Sequence, residues 1–278
     1  MTAEASNRHS VAVLQSSFVL ESDEVWQDRI LTIFAALPPC DVGEHHLVIE
    51  GEDQDSRLIL DGVTLLDGVR SWAIIDRIVW EANQIAWRSA PDHVLVHAAV
   101  VEIEGQGVLI YGPSGVGKST LAAALCVAGA GYLSDEIAVL DPKTGSVLPY
   151  AKPLTIRSQM WDAFAVVAPP KWLAEHMRAV WYVPLRPAAA VPISVVVAPD
   201  FQATGDVYPV VRSRAEVLIE LCSQTPQLKR YGVGGFEALA DIVRDAECVT
   251  IDTTDLAIAC RKIFDLVAST GHNKNDGA

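Results

Sequence analysis

Nine residues, Gly112-Pro113-Ser114-Gly115-Val116-Gly117-Lys118-Ser119-Thr120, restrict what this chain can fold into more than any other feature. They fit G-x-x-x-x-G-K-[ST] without departure, a pattern whose mechanism needs a strand before it and a helix after it. Both are legible. Val108–Tyr111 is a short apolar run that leads straight into the loop, and Lys118 to Ala128 is rich in Ala and Leu, ending near Gly129 and Gly131. The glycines let the backbone turn its N–H groups inward, and the positive end of the helix adds to them. The expectation is a phosphate cradle, with the Lys118 ammonium on the outer phosphates and the Ser119 hydroxyl on a magnesium ion. An accidental match is expected in about one chain in a hundred of such size and composition.

Around this loop the chain reads as α/β. Val11–Leu20 has the look of a strand, Trp26–Leu37 of a helix stopped by Pro38-Pro39, and His46–Glu50, Arg57–Leu60 and Val63–Leu66 of further strands. Ser71 to Arg88 is a helix whose buried stripe would be Trp72, Ile75, Val79, Ala82 and Ala86. His93–Glu102 reads as one strand. Tyr132 to Leu140 reads as another, with Ser134-Asp135-Glu136 inside it. Ser146–Tyr150 returns, Ser158–Val167 has helical character, and Ile193–Val197 is a β-branched run expected to be a buried strand. Helices over Ser213–Cys222, Gly235–Asp245 and Asp255–Ala268 flank a short strand at Cys248–Ile251. The expected organisation is a small α/β lobe over 1–90, a core over 91–270 in which helices flank a mixed sheet, and a polar, disordered tail over 271–278.

Composition narrows the function classes. With 35 Asp and Glu against 21 Lys and Arg, the net charge is −14, which argues against a nucleic-acid partner. The five cysteines are scattered, with no C-x-x-C pair, which suits reduced thiols in the cytoplasm. No stretch is long and apolar enough for a signal peptide or a membrane span, so no membrane partner is expected.

A phosphate loop alone does not separate a kinase from an ATPase, a GTPase or a transporter subunit; the acidic partner must. Two candidates stand out. Asp200, after the strand Ile193–Val197, has the look of an ordinary metal-side aspartate. Asp135, with Glu136 beside it, follows the loop helix at once, which is less usual. Neighbouring strand residues face opposite sides, so both acids could serve one site only if the backbone bends near Asp135.

His97, then Gly112-Pro113-Ser114-Gly115-Val116-Gly117-Lys118-Ser119, then Asp135-Glu136 resembles the catalytic core of the HPr kinase/phosphorylase family, which has a strand histidine, a G-x-S-G-x-G-K-S loop and an acidic pair at this spacing. The second acid is Glu136 where the family has Asp. Lys152-Pro153-Leu154 and Tyr231-Gly232 to Phe236 look like the divergent HPr-kinase-related proteins found beside peptide-modifying genes, some of which phosphorylate a serine hydroxyl of a lasso-peptide precursor.

The resemblance implies an HPr-kinase-like core and an ATP- and Mg²⁺-dependent kinase acting on a Ser or Thr hydroxyl of a peptide or protein. In it Asp135 is the general base, Glu136 helps hold the metal, and His97 touches a phosphate or orients Asp135. Lys152 and Arg157 are the favoured cations for the transferred group, ahead of Arg178, Arg186 and Arg230. Trp161, Trp172 and Trp181 are candidate walls of an acceptor pocket. Two other readings stay open: a small-molecule hydroxyl as acceptor, and a nucleotide-binding regulatory module without transfer. A homo-oligomer is left open as well.

Overall fold

The computed structural model describes residues 7–34, 36–156, 180–182, 188–201 and 208–275. They separate into two units, the first ending at Ala90 and the second beginning at Pro91. Together the described residues form a mixed α/β protein with two mixed sheets and six helices.

In the first unit, β1 (Asn7–Val13) and β2 (Ser16–Ser22) form an antiparallel hairpin where one strand was expected. The turn is Leu14-Gln15, with Leu14 at φ 57°, a conformation that a leucine takes only when its surroundings impose it. Helix α1 (Glu24–Phe34) carries the chain to β3 (His45–Glu50), parallel to β2. Then β4 (Ser56–Leu60) and β5 (Val63–Val69) continue the sheet antiparallel. Between them Asp61 and Gly62 both have positive φ, as a two-residue hairpin turn requires. Helix α2 (Ser71–Ser89) buries Ile74, Ile75, Ile78, Val79, Ala82, Ile85 and Ala86. Its predicted stripe is corrected at one place: Trp72 is 39% exposed, and Ile74 and Ile78 take the inner face. Trp26 closes the core, its Nε1–H donating to the Gly51 carbonyl at 2.7 Å.

The second unit starts with β6 (Val94–Val96) and β7 (Ala99–Ile103), two strands where the sequence reads as one. The break at His97-Ala98 is where the chain changes neighbours: β6 pairs with a later strand, and β7 pairs with β8 (Gln106–Ile110). After the glycine loop come α3 (Lys118–Val127), β9 (Gly131–Ser134), β10 (Ala138–Leu140), β11 (Ser146–Leu148) and the small pair β12 (Leu154–Ile156) and β13 (Val180–Tyr182). The long β14 (Val191–Asp200), short β15 (Val210–Val211), α4 (Arg214–Ser223), α5 (Leu228–Asp245), β16 (Glu247–Asp252) and α6 (Leu256–Asn275) complete it. Helix α6 runs on to Asn275, five residues into the segment expected to be a disordered tail. The predicted helix Ser158–Val167 lies outside the described residues.

The order across the nine-stranded sheet is β6-β10-β11-β14-β8-β7-β9, with β16 on the far side of β14 from β8. β14 is parallel to both β8 and β16, so these three strands end at the same edge. Alternation of side chains sends Leu109 and Val196 toward α4 and α5, where Val217, Leu221, Leu239, Ile242 and Val243 meet them in one buried cluster. α3 packs against β7, and α6 packs against β14 and β16. Burial of this order, at about 25 cal/mol per Å² of apolar surface, is the main force that fixes the sheet edge beneath the loop.

Candidate functional site

β8 hands the chain to the loop at Tyr111, whose N–H donates to the Val197 carbonyl of β14 at 3.0 Å. The loop then turns through Gly112, Gly115 and Gly117 at φ 137°, 86° and 101°, values that L side chains resist. Gly117 is the N-cap of α3, so the free N–H groups of the first helical turn open toward the loop. Lys118 is buried, and its ammonium donates to the Gly112 carbonyl at 2.8 Å and the Pro113 carbonyl at 3.2 Å. Of its three hydrogens one remains for a ligand. Burial lowers the Lys118 pKa below the ordinary 10.5, while Glu136 and Asp135 act in the opposite sense.

Ser114, Gly115, Val116, Gly117, Lys118, Ser119 and Thr120 line an open cleft of about 620 Å³. His97, Asp135 and Glu136 line it too, so loop, histidine and acidic pair are brought together. The two acids share a side because the strand stops: β9 ends at Ser134, Asp135-Glu136 form a bend, and β10 begins at Ala138. The Ser134 hydroxyl accepts from the Glu136 and Ile137 N–H groups at 3.2 and 3.0 Å and so holds the bend. His97 Nδ1 lies 3.1 Å from the Glu136 main-chain carbonyl and 3.4 Å from its Oε1.

Asp135 is the most enclosed of these groups. Its Oδ1 accepts from the Lys152 ammonium at 2.6 Å and from the Tyr132 hydroxyl at 2.9 Å. Among the described residues no donor reaches Oδ2, and Asp135 is one of the residues that line the cleft. The Tyr132 hydroxyl is also 3.0 Å from the Lys152 carbonyl, so one phenol hydrogen serves two acceptors. Burial, and then the charge of Asp135, push the Tyr132 phenol well above its ordinary value.

Lys152 thus sits differently from the expectation that it meets a phosphate: it is buried, its ammonium is engaged with Asp135, and it does not line the cleft. Arg157, Arg178, Arg186, Trp161, Trp172 and the side chain of Trp181 lie outside the described residues. Arg230 bonds Gln227 and does not line the cleft. Asp200 lines a neighbouring cavity behind Gly112-Pro113, not the cleft that holds Lys118.

Tyr132, Arg212 and Glu220 carry no motif and were not legible; Lys152 was, though for a phosphate and not for Asp135. Tyr132 and Lys152 are twenty residues apart, and the Tyr150 N–H to Leu133 carbonyl bond (2.9 Å) joins their segments beside the direct Tyr132 hydroxyl to Lys152 carbonyl contact. Behind the loop, Arg212 grips Glu220 through two bonds of 2.8 and 3.0 Å, and the Tyr111 hydroxyl donates to Glu220 at 2.6 Å. Burial would raise the Glu220 carboxyl, but these bonds outweigh it and bring the group below its ordinary value. The cluster anchors Tyr111, the residue that enters the loop.

Among the described residues no helix is long and apolar enough to cross a membrane. No protein-family model and no curated protein matches the chain. Among solved structures it is similar to the Hpr(Ser) kinase/phosphatase from Coxiella burnetii, at 15% sequence identity and a TM-score of 0.31, over 66% of this chain and 99% of that one.

Proposed function

We propose that this protein is an ATP-dependent kinase that transfers the γ-phosphoryl group to a hydroxyl, with a Ser or Thr of a peptide or protein as the acceptor class. One observation carries the reading: a single cleft is lined by the glycine loop with Lys118 and by Asp135, whose Oδ2 has no donor of its own among the described residues. The loop amides and the Lys118 ammonium hold the phosphates. The acceptor hydroxyl approaches the γ-phosphorus in line, and its proton passes to Asp135 Oδ2. A new P–O bond forms to the acceptor as the bond from the γ-phosphorus to the bridging oxygen breaks, and the electron pair leaves with ADP. Lys118 balances the charge that grows on that side. Lys152 and Tyr132 fix the carboxylate by holding its other oxygen.

The donor set also fits magnesium. Ser119 presents a hydroxyl that bonds to nothing among the described residues, and Glu136 presents a part-exposed carboxylate in the same cleft. Magnesium is commonly held by one or two carboxylates together with substrate phosphates, and a cage of three or more His, Cys, Asp or Glu is absent among the described residues. When bound, the ion neutralises phosphate charge.

The test uses γ-labelled ATP with a set of Ser- and Thr-containing peptides and small alcohols. Label should pass to a hydroxyl. Asp135→Asn should cut transfer by about a hundredfold or more while ATP binding persists, and Lys118→Ala should lose binding itself. Label released only as free phosphate, at a rate Asp135→Asn leaves alone, refutes the assignment.

A further inference from the structure

The lining of the cleft extends past the loop on both sides. At one end are His97, Asp135 and Glu136, at the β9 side of the sheet. In the middle is the loop above β8. At the other end are Phe201, Thr253, Thr254 and Leu256, at the ends of β14 and β16. Strands in a sheet are spaced about 4.8 Å apart, so the end of β16 lies about 10 Å from that of β8, on the side away from Asp135. A nucleoside triphosphate is a linear object. If its γ-phosphate is directed at Asp135, its sugar and base must leave the loop the opposite way, across β14 and β16.

What stands there suits a base. Phe201 is 69% exposed, so a large apolar ring is left in water at the rim of a phosphate cleft. It follows Asp200 directly, and Asp200 is held against the next strand, its carbonyl accepting from the Thr253 N–H at 2.8 Å and the Thr253 hydroxyl at 3.3 Å. The Thr254 N–H is tied to Asp252 Oδ1 at 2.7 Å, while its hydroxyl has no partner among the described residues. An exposed aromatic face, an aliphatic neighbour in Leu256 and an uncommitted hydroxyl are the elements by which proteins hold a planar heterocycle at one face and one edge.

We infer that Phe201, Leu256 and Thr254 form the nucleoside subsite of the cleft, with the base stacked on Phe201 and the Thr254 hydroxyl bonding its edge or the ribose. The inference rests on the nucleotide reading above and extends it: the loop takes phosphates, and this end distinguishes a nucleotide from an inorganic polyphosphate.

Calorimetric titration of the full chain with ATP and with inorganic tripolyphosphate separates the two ideas, because tripolyphosphate has no base. Wild type should bind ATP more tightly than tripolyphosphate. Phe201→Ala should weaken ATP by about tenfold, the scale of a lost base–aromatic stack, and leave tripolyphosphate unchanged. Phe201→Trp should restore ATP affinity, and Thr254→Val should weaken ATP alone. If wild type binds the two ligands equally, or Phe201→Ala leaves ATP affinity intact, the subsite is refuted while the phosphate cradle stands. The subsite is equally refuted if Phe201→Ala weakens both ligands in parallel, or raises only the KM for the acceptor hydroxyl. If wild type binds neither ligand, the cradle and the subsite fall together.

Discussion

Replacing Lys152 by Met should cost the loop-bearing unit stability and should cost the site its aim, for the same reason. The Lys152 and Asp135 side chains are only 5% and 2% exposed, and 2.6 Å separates ammonium from carboxylate. Removing one partner of a buried pair leaves the other charge without its counterion, typically at about 3–5 kcal/mol. Here Tyr132 still donates to the same oxygen and Met fills much of the lysine stem, so the low end applies, about 3 kcal/mol. For a unit of this size each kcal/mol moves the midpoint by about 2–4 °C, so the melting temperature should fall by about 6–12 °C. Scanning calorimetry reads this, and the transition that belongs to this unit is the one tripolyphosphate raises, since a ligand of the folded form stabilises it by mass action.

Asp135→Asn alone should also destabilise, because it strands the ammonium. The double variant should lose less than the two single losses added, by about 1–3 kcal/mol. Lys152→Met should keep ATP affinity, which depends on Lys118, and lose turnover, since Oδ2 is no longer held in place. A midpoint within about 2 °C of wild type, by the same scaling, or strictly additive losses, would refute the buried pair and with it the orienting role of Lys152.

Two further outcomes follow from titration. Burial places the Lys118 pKa below 10.5, and only the ammonium pairs with phosphate, so tripolyphosphate affinity should already be declining as pH rises to 10.5; affinity flat up to that pH would count against Lys118 as the phosphate ligand. The Tyr132 phenol is held protonated well above its ordinary 10.0 by burial and by Asp135, so the folded chain keeps a proton that the unfolded chain releases above about pH 10. Stability from this source is present below pH 10 and is lost as pH climbs beyond it. Tyr132→Phe should therefore show a shallower alkaline loss in urea titrations, at a neutral-pH cost of about 1 kcal/mol for the missing bond; an unchanged slope would show that Tyr132 is not the group involved.

Legibility in the sequence followed the range of the forces involved. The glycine loop was plain because its geometry is a matter of local sterics, and the helices were plain from their apolar spacing. The breaks were not. Nothing at Leu14-Gln15 announces a turn, and His97 reads as mid-strand, because both interruptions arise from which strand lies alongside. Asp135-Glu136 looked like alternating strand positions until the Ser134 hydroxyl was seen to hold the chain in a bend. Trp72 fitted the helical stripe by spacing, yet Ile74 and Ile78 pack the inner face.

By itself the amino-acid order determined that a glycine-rich turn stands between a strand and a helix, with a lysine at the start of that helix and an acidic pair one helix further on. Steric limits on φ and the period of a helix act over a few residues, so they can be read from a few residues. Only the tertiary structure decided that Lys152 serves Asp135 rather than a ligand, that Asp200 belongs to the neighbouring cavity, and that Phe201 stands at the far end of the same cleft. Those outcomes depend on sheet order and on side-chain pairings between residues 17 to 109 positions apart. They are fixed by burying the apolar faces of the whole unit at once, and no local pattern encodes that.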